Sequence, residues 1–217
     1  MKAEDLQAAV TAHWSARAPV FDGVASHVAQ RDLWREVLET AFQAQSPSDV
    51  VDLGCGTGAC AIIAASLGHN VRAFDASPEM IVAARRAAHA ESVDLTFEVA
   101  LIHEVALPGD ADIVTLRNVL WTLEQPMQAL RVAHRLLQPG GRIVISDGLW
   151  SVAPQYRATY APEVAARLPL HDGLTQAQAE RMLDETGFTE PESWQHLFPT
   201  LPYPGDVPVF VLSAVKT

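Results

Sequence analysis

The sequence VVDLGCGTGA, at positions 50–59, combines three features of a ligand-binding turn. Two valines precede an acid, Asp52, and such an apolar run is typical of a buried parallel strand. Three alternating glycines follow, which allow a sharp backbone turn and the close approach of a ligand. The alanine-rich run after them predicts a helix, whose first N–H groups are free at the same place. The stretch therefore predicts a strand, a turn and a helix N-terminus around a nucleotide-like ligand.

Two kinds of nucleotide site fit this stretch, and Asp52 distinguishes them. Gly54-x-Gly56-x-x-Ala59 matches the dinucleotide fingerprint, in which the glycines seat a pyrophosphate on the helix N-terminus. A carboxylate two residues before the first glycine would repel a pyrophosphate, but it would attract the ammonium and sulfonium groups of S-adenosylmethionine. The acid therefore favours S-adenosylmethionine over a nicotinamide dinucleotide. A glycine turn without a ligand is the least favoured interpretation.

The stretch resembles motif I of the class I S-adenosylmethionine-dependent methyltransferases, which has the form acid-x-Gly-x-Gly-x-Gly. Asp75 ends a predicted strand at 70–75, where an acid can accept the ribose hydroxyls in methyltransferases and NAD enzymes alike. Residues 136–144, LLQPGGRIV, resemble motif III of the family. The resemblance spans about residues 48–148. It implies a small-molecule methyltransferase similar to those of ubiquinone and menaquinone biosynthesis.

The resemblance implies an α/β fold: a doubly wound, Rossmann-like sheet of seven strands in the order 3-2-1-4-5-7-6, with strand 7 antiparallel. Hydrophobic patterning predicts strands 3, 4 and 5 at 93–99, 111–118 and 142–147, and two closing strands at 194–198 and 207–215. We expect an N-terminal helical lid at residues 1–47. The methyltransferase domain would then occupy residues 48–217, with a substrate-wall insertion at about 149–174.

Composition limits the partners of the chain. Its 217 residues carry a net charge of −11, and an acidic surface repels the phosphates of nucleic acids. No apolar stretch approaches the roughly 18 residues of a membrane span, and the first residues do not resemble a signal peptide. The two cysteines, Cys55 and Cys60, indicate neither a disulfide framework nor a metal site. We expect a cytoplasmic monomer or homodimer that binds a small molecule, and no nucleic acid, membrane or metal.

The resemblance also implies which residues contact S-adenosylmethionine. Family lids often carry a tyrosine, whereas this chain offers the aromatic rings of Trp14 and Phe21, which would attract a sulfonium through cation–π interaction. The family's usual acid after strand 3 is missing, so adenine recognition would rest on backbone groups or on Glu104. The predicted cofactor-binding residues are Asp52, Gly54, Cys55, Gly56, Gly58, Asp75, Ala76, Met80, Ala100, Leu101, Arg117, Asn118, Trp14, Arg17 and Phe21.

The methyl acceptor is expected to face the segment after strand 5, which forms the substrate wall in this fold. Predicted substrate-binding residues are Trp121, Trp150, Tyr156, Tyr160 and His171. An acceptor that loses a proton would also need a base. His171 is the first candidate because histidine titrates near neutrality, and Asp147 is the second, with Tyr156 and Tyr160 as orienting donors.

The sequence thus favours methyl transfer to an O, N or S atom of a small metabolite by in-line displacement. The segment after strand 4 lacks the Asn-Pro-Pro-Tyr or Asp-Pro-Pro-Tyr motif of nucleic-acid amino methyltransferases, and the Pro-Cys of cytosine-C5 enzymes. Two alternatives stay open. One is a non-catalytic S-adenosylmethionine-binding module that regulates a partner. The other, favoured only by the glycine spacing, is a nicotinamide-dependent oxidoreductase.

Overall fold

The computed structural model describes residues 2–24, 30–44, 47–152, 160–203 and 206–217. At its centre is a seven-stranded sheet in the order β3-β2-β1-β4-β5-β7-β6. Strands β1 to β5 run parallel, and β7 runs antiparallel to both β5 and β6. This topology confirms the predicted fold class. The strands are β1 Asp49–Leu53, β2 Asn70–Asp75, β3 Thr96–Val99, β4 Ala111–Arg117, β5 Leu137–Gly148, β6 Phe188–Ser193 and β7 Val209–Lys216.

Helices flank the sheet and are bounded by recognisable capping residues. Ser77 is the N-cap of the helix that begins at Pro78, and its side chain accepts a hydrogen bond from the backbone N–H of Met80 at 3.1 Å. Thr175 and Gln178 form a capping box at the start of the helix that begins at Gln176. The helices are α1 Ala3–Arg17, α2 Phe21–Val24, α3 Arg31–Phe42, α4 Ala59–Ser66, α5 Pro78–Ala90, α6 Pro126–Leu136, α7 Pro162–Ala165 and α8 Gln176–Glu185.

The sheet separates two hydrophobic cores because successive strand residues point to opposite faces. On β1, Val50 belongs to the cluster that contains Trp34 of α3, whereas Val51 belongs to the cluster that contains Leu130 of α6. All four of these residues are at most 1% exposed. Burial on both faces explains the consecutive apolar residues within these strands, such as Val50 and Val51 in β1. It also fixes the carboxyl ends of β1, β2 and β4 side by side.

The sixth strand differs from the sequence prediction. It lies at Phe188–Ser193, and residues Gln195–Leu197 form a single 3-10 turn in place of the strand expected at 194–198. Gly187 adopts a positive φ of 87° after α8, so the chain enters the strand at once. β6 is an edge strand whose residues are mostly exposed, and it tolerates a proline, so its sequence FTEPES shows no strand-like pattern.

No helix within the described part of the chain is both long enough and apolar enough to cross a membrane.

Candidate active site

A crevice of about 630 Å³ lies at the carboxyl ends of β1, β2 and β4, the usual ligand position in an open α/β sheet. The glycine turn and the ends of these strands form its floor. Helix α1 forms its roof, through Ala3, Glu4, Gln7, Val10, Thr11 and Trp14. One hydrogen bond joins α1 to the floor, since Ser15 Oγ lies 2.9 Å from Ser77 Oγ. A second joins the next helix, α2, to the floor: Thr57 Oγ1 donates to Asp22 Oδ1 at 2.6 Å.

The glycines of the turn meet different surroundings. Gly54 has a φ of +71°, and a Cβ there would lie 2.4 Å from Cγ2 of Val119. Gly56 has a φ of +55°, but a Cβ there would meet no atom within 4 Å, and the residue lines the crevice. Gly54 is therefore required by packing, whereas Gly56 leaves open space in which a ligand can approach the backbone.

Asp52 presents an incompletely satisfied carboxylate at the crevice. The residue is 1% exposed, and its Oδ1 accepts a hydrogen bond from Thr115 Oγ1 at 2.6 Å. Its Oδ2 is buried and has no hydrogen-bond partner in the described structure. Burial raises the pKa of Asp52 to about 6, although the Thr115 hydrogen bond and the nearby charge of Arg117 lower it in part. A cationic ligand at Oδ2 would stabilise the ionised form.

Arg117, at the end of β4, presents the opposite charge to the same crevice. Its guanidinium carbon lies 3.8 Å from the centroid of the Trp34 ring, a cation–π arrangement. Its Nε and Nη2 are buried and find no hydrogen-bond partner among the described residues. Asp52 and Arg117 thus carry unsatisfied groups of opposite sign, the complement of a zwitterion such as the methionine part of S-adenosylmethionine.

Asp75 holds the glycine turn in shape. Its Oδ2 accepts from the N–H of Gly56 at 2.8 Å, and its Oδ1 accepts from the N–H of Ser77 at 2.9 Å. Burial raises the pKa of this carboxyl, and the two backbone hydrogen bonds partly oppose the rise. Each carboxylate oxygen has a further lone pair, so the ribose hydroxyls could still bind here.

The remaining predicted cofactor residues mostly line the same crevice. They include Cys55, Ala76, Met80, Ala100, Leu101, Asn118, Trp14 and Phe21. Glu104 lies beside Leu101, and its Oε2 accepts from the Leu101 N–H at 3.3 Å. Gly58 and Arg17 are not among the lining residues. Gly58 begins α4 with a φ of +86°, and the Arg17 guanidinium lies 5.8 Å from the Trp14 ring.

Four of the five predicted acceptor residues belong to an aromatic cluster that does not line the crevice: Trp121, Trp150, Tyr160 and His171. The ring of Trp121 lies 5.8 Å from that of Trp14 and 5.9 Å from that of Trp150. Tyr160 lies between His13 at 4.5 Å and His171 at 6.0 Å. These distances join ring centroids. Trp121, Trp150, Tyr160 and His171 are not among the lining residues, and Tyr156 lies outside the described residues.

The two base candidates have structural partners of their own. Asp147 is 0% exposed, and its Oδ1 accepts from the Gly148 N–H at 2.9 Å and from Trp150 Nε1 at 2.8 Å. Burial raises the pKa of Asp147 to about 7. His171 Nδ1 lies 3.5 Å from Asp172 Oδ1. Neither side chain lines the crevice.

Three residues that contact site residues are not predicted from the sequence: Thr115, Trp34 and Tyr203. Thr115 is paired with Asp52 in adjacent strands, so a polar residue in an otherwise apolar strand was an available signal. Helical spacing indicates only a core role for Trp34. Tyr203, which accepts a 2.5 Å hydrogen bond from Asn118 Nδ2, comes from a segment without a recognisable pattern.

Comparison with known proteins finds a matching family and several relatives. Residues 51–145 match a family described as a methyltransferase domain. The chain is 33% identical over 121 residues to the ubiquinone biosynthesis O-methyltransferase of Xanthomonas campestris pv. campestris, an alignment that covers 55% of this chain and 51% of that protein. The chain therefore spans about half the length of the curated relatives it matches.

Solved structures share the fold. The magnesium protoporphyrin IX methyltransferase of Synechocystis PCC 6803 with bound S-adenosylhomocysteine superposes with a TM-score of 0.64 at 18% identity, covering 87% of this chain and 83% of that chain. The cyclase SpnF superposes with a TM-score of 0.65 at 16% identity, covering 84% and 79%. The family match, motif I, motif III and the strand order agree with one another. Residues 51–145 of the chain are thus similar to a methyltransferase domain, and the seven-stranded sheet has the strand order that this similarity implies.

Proposed function

We propose that this protein transfers the methyl group of S-adenosylmethionine to an O, N or S atom of a small molecule. The observation that carries the proposal is the pair of unsatisfied opposite charges, Asp52 and Arg117, in one crevice. Asp52 would bind the ammonium of the methionine part, and Arg117 its carboxylate. Asp75 would bind the ribose, and the backbone at Ala100 and Leu101 would border the adenine. The cofactor, when bound, supplies an electrophilic methyl group on a positively charged sulfur.

The protein's own contribution is alignment and the exclusion of water. Transfer by in-line displacement needs the acceptor atom opposite the sulfur, and correct positioning alone can lower a barrier by several kcal/mol. Trp14, Phe21 and Val10 place apolar surface on the roof side of the crevice, which would limit the entry of water. The protein would thus act mainly by orientation, and His171 or Asp147 would serve as base only if the wall that separates them from the crevice moves.

A small-molecule acceptor in the cytoplasm is the setting we propose. The acidic net charge of −11 supports a small molecule over a nucleic acid. Cys55 and Cys60 are both free thiols, which supports a reducing compartment. The curated relative in Xanthomonas, an O-methyltransferase by name, supports methyl transfer as the reaction class. A monomer or homodimer remains our proposal for the assembly, and residues 1–47 remain our proposal for a lid.

Calorimetry with S-adenosylmethionine and with NAD tests the proposal. At pH 8, where Asp52 is ionised, we expect micromolar binding of S-adenosylmethionine and none of NAD. Asp52→Asn keeps the Thr115 hydrogen bond but removes the charge, and should weaken S-adenosylmethionine binding roughly 10- to 100-fold, the equivalent of one charge-assisted hydrogen bond.

The matched control is Asp49→Asn, which removes an exposed acid from the other end of the same strand. It should leave the affinity unchanged. Binding of NAD by the wild-type protein in place of S-adenosylmethionine would overturn the proposal, as would equal effects of the two substitutions.

A further inference from the structure

Asn118, the residue after β4, is held in a single orientation by three hydrogen bonds. Its backbone N–H donates to the Ser146 carbonyl at 2.7 Å, and its own carbonyl accepts from Trp121 Nε1 at 2.9 Å. Its side-chain Nδ2 donates to the hydroxyl of Tyr203 at 2.5 Å. The backbone adopts a φ of 55°, a left-handed conformation that asparagine tolerates better than most residues. Strained and fully anchored residues of this kind occur often at functional sites.

The same side chain leaves one polar atom unsatisfied. Asn118 Oδ1 is buried and has no hydrogen-bond partner among the described residues, although Asn118 lines the crevice. A buried acceptor without a donor costs about 1–3 kcal/mol, so a ligand that supplies the donor recovers this free energy. Because Nδ2 already donates to Tyr203, Oδ1 is the polar side-chain atom of Asn118 that is left without a partner. The position therefore selects for a hydrogen-bond donor.

The position of Asn118 indicates that the ligand of its Oδ1 is the methyl acceptor. Asn118 directly follows Arg117, which we assign to the methionine end of the cofactor, so it lies beside the place where the reactive methyl would be carried. Trp14 lines the crevice near it, backed by the ring of Trp121. Tyr203 in turn packs on Trp150, with 5.2 Å between ring centroids. The Asn118–Tyr203 pair thus rests on a rigid aromatic support.

Building on the proposed function, we propose that Asn118 and Tyr203 position an acceptor atom that bears hydrogen, a hydroxyl or an amine, and disfavour a thiolate. Asn118 Oδ1 accepts the O–H or N–H, which turns a lone pair of the acceptor atom toward the methyl carbon. That lone pair forms the new bond, the electron pair of the carbon–sulfur bond returns to sulfur, and the acceptor's proton passes to water. The amide oxygen is too weak a base to take the proton, so Asn118 binds the acceptor and Tyr203 is a positioning residue.

The test uses S-adenosylmethionine labelled in its methyl group and a small-metabolite extract from which macromolecules have been removed by ultrafiltration. Dilution of the extract gives an apparent KM, and mass spectrometry of the product identifies the methylated atom. Asn118→Gly removes the side chain and accepts the positive φ, so it should fold normally. We expect its apparent KM for the acceptor to rise about tenfold, clearly more than its calorimetric Kd for S-adenosylmethionine rises.

Two further variants separate positioning from a structural role. Asn118→Asp keeps an acceptor oxygen, with the Tyr203 hydroxyl as donor to the other oxygen, and should restore an apparent KM near that of the wild type. Tyr203→Phe should raise the apparent KM about threefold in the wild-type background and have no further effect in Asn118→Gly, because the two residues act through one amide.

Three results would overturn the inference and leave the proposed methyl transfer standing. The first is an S-methyl product, and the second is an unchanged apparent KM in Asn118→Gly. The third is a loss of cofactor affinity in Asn118→Gly without a change in its apparent KM. If no labelled product forms, while S-adenosylmethionine binds, the proposed function itself fails and the inference fails with it.

Discussion

Arg117 obtains its position from Trp34, a residue 0% exposed on a different element, α3. The face of the indole ring holds the guanidinium by cation–π interaction without using any of its N–H groups. The donors therefore remain available for a carboxylate. A lysine would keep the charge but could not stack as a plane or present two parallel donors.

Arg117→Lys should consequently weaken the binding of S-adenosylmethionine by about tenfold, because a bidentate hydrogen bond becomes a single one. Binding of 5′-methylthioadenosine, which lacks the amino and carboxylate groups of methionine, should stay the same. Calorimetry with both ligands measures the difference. Equal losses for the two ligands would place Arg117 at the nucleoside and contradict our assignment.

For single residues, the sequence predicts the positions of Asp52 and Asp75 better than those of the residues that contact Arg117 and Asn118. Asp52 lies near the end of β1 and Asp75 ends β2, each at a fixed offset from the glycines, so a local pattern is enough to locate them. Trp34 and Tyr203 come from distant segments, and their contacts with Arg117 and Asn118 depend on how whole elements pack. No local spacing encodes such contacts, which explains why both residues were missed.

In the glycine turn, Gly54 is required for packing and Gly56 leaves space for a ligand, so substitutions at the two positions should have different effects. Gly54→Ala should destabilise the protein by about 2–4 kcal/mol, because it combines left-handed strain with the overlap on Val119. Gly56→Ala carries a similar φ but meets no neighbour, and should cost only about 1 kcal/mol. Urea denaturation measures both values.

The companion measurement is cofactor affinity. Gly56→Ala should reduce S-adenosylmethionine binding more than it reduces stability, since its methyl group would point into the crevice. Adding Val119→Ala to Gly54→Ala should recover part of the lost stability by removing the overlapping methyl groups. If the two alanine variants were equally stable, packing against Val119 would not be the reason for Gly54.

The edge strand β6 is an element whose position the sequence pattern does not predict. Central strands β1 and β4 are buried along most of their length, so apolar residues dominate them and make their positions evident in the sequence. β6 pairs only with β7 and leaves most of its residues exposed, so neither burial nor pairing constrains its side chains strongly. Trp194 and Phe198 suggested the wrong segment because they are buried residues of the core, outside the strand.

For the molecule as a whole, Asp52 and Asp147 link stability to pH. Burial raises the pKa of these carboxyls to about 6 and about 7, above the value of about 3.9 in an unfolded chain. The folded state therefore binds more protons than the unfolded state in this interval. The contribution of these residues to stability is greatest below pH 4, and it is lost as the pH rises through 6 and 7.

Asp147→Asn removes one of these titrations while its Oδ1 still accepts from Trp150 and Gly148. The stability of the variant relative to the wild type should rise with pH between 5 and 7, by up to about 1.4 kcal/mol per pH unit. Urea denaturation at pH 5, 6, 7 and 8 measures this difference. A difference that is constant with pH would show that Asp147 does not titrate in this range.

The hydrogen bonds that join α1 and α2 to the floor of the crevice bear on how ligands enter and leave it. Ser77 caps the helix that follows Asp75, and Thr57 belongs to the glycine turn, so α1 and α2 are each bonded to one of the two loops that we assign to the nucleoside. If residues 1–47 act as the lid that we propose, exchange of spent for fresh cofactor requires the Ser15–Ser77 and Asp22–Thr57 contacts to break. We then expect the cofactor to bind before the acceptor and the cycle to end with a slow opening step, so that turnover depends on solvent viscosity.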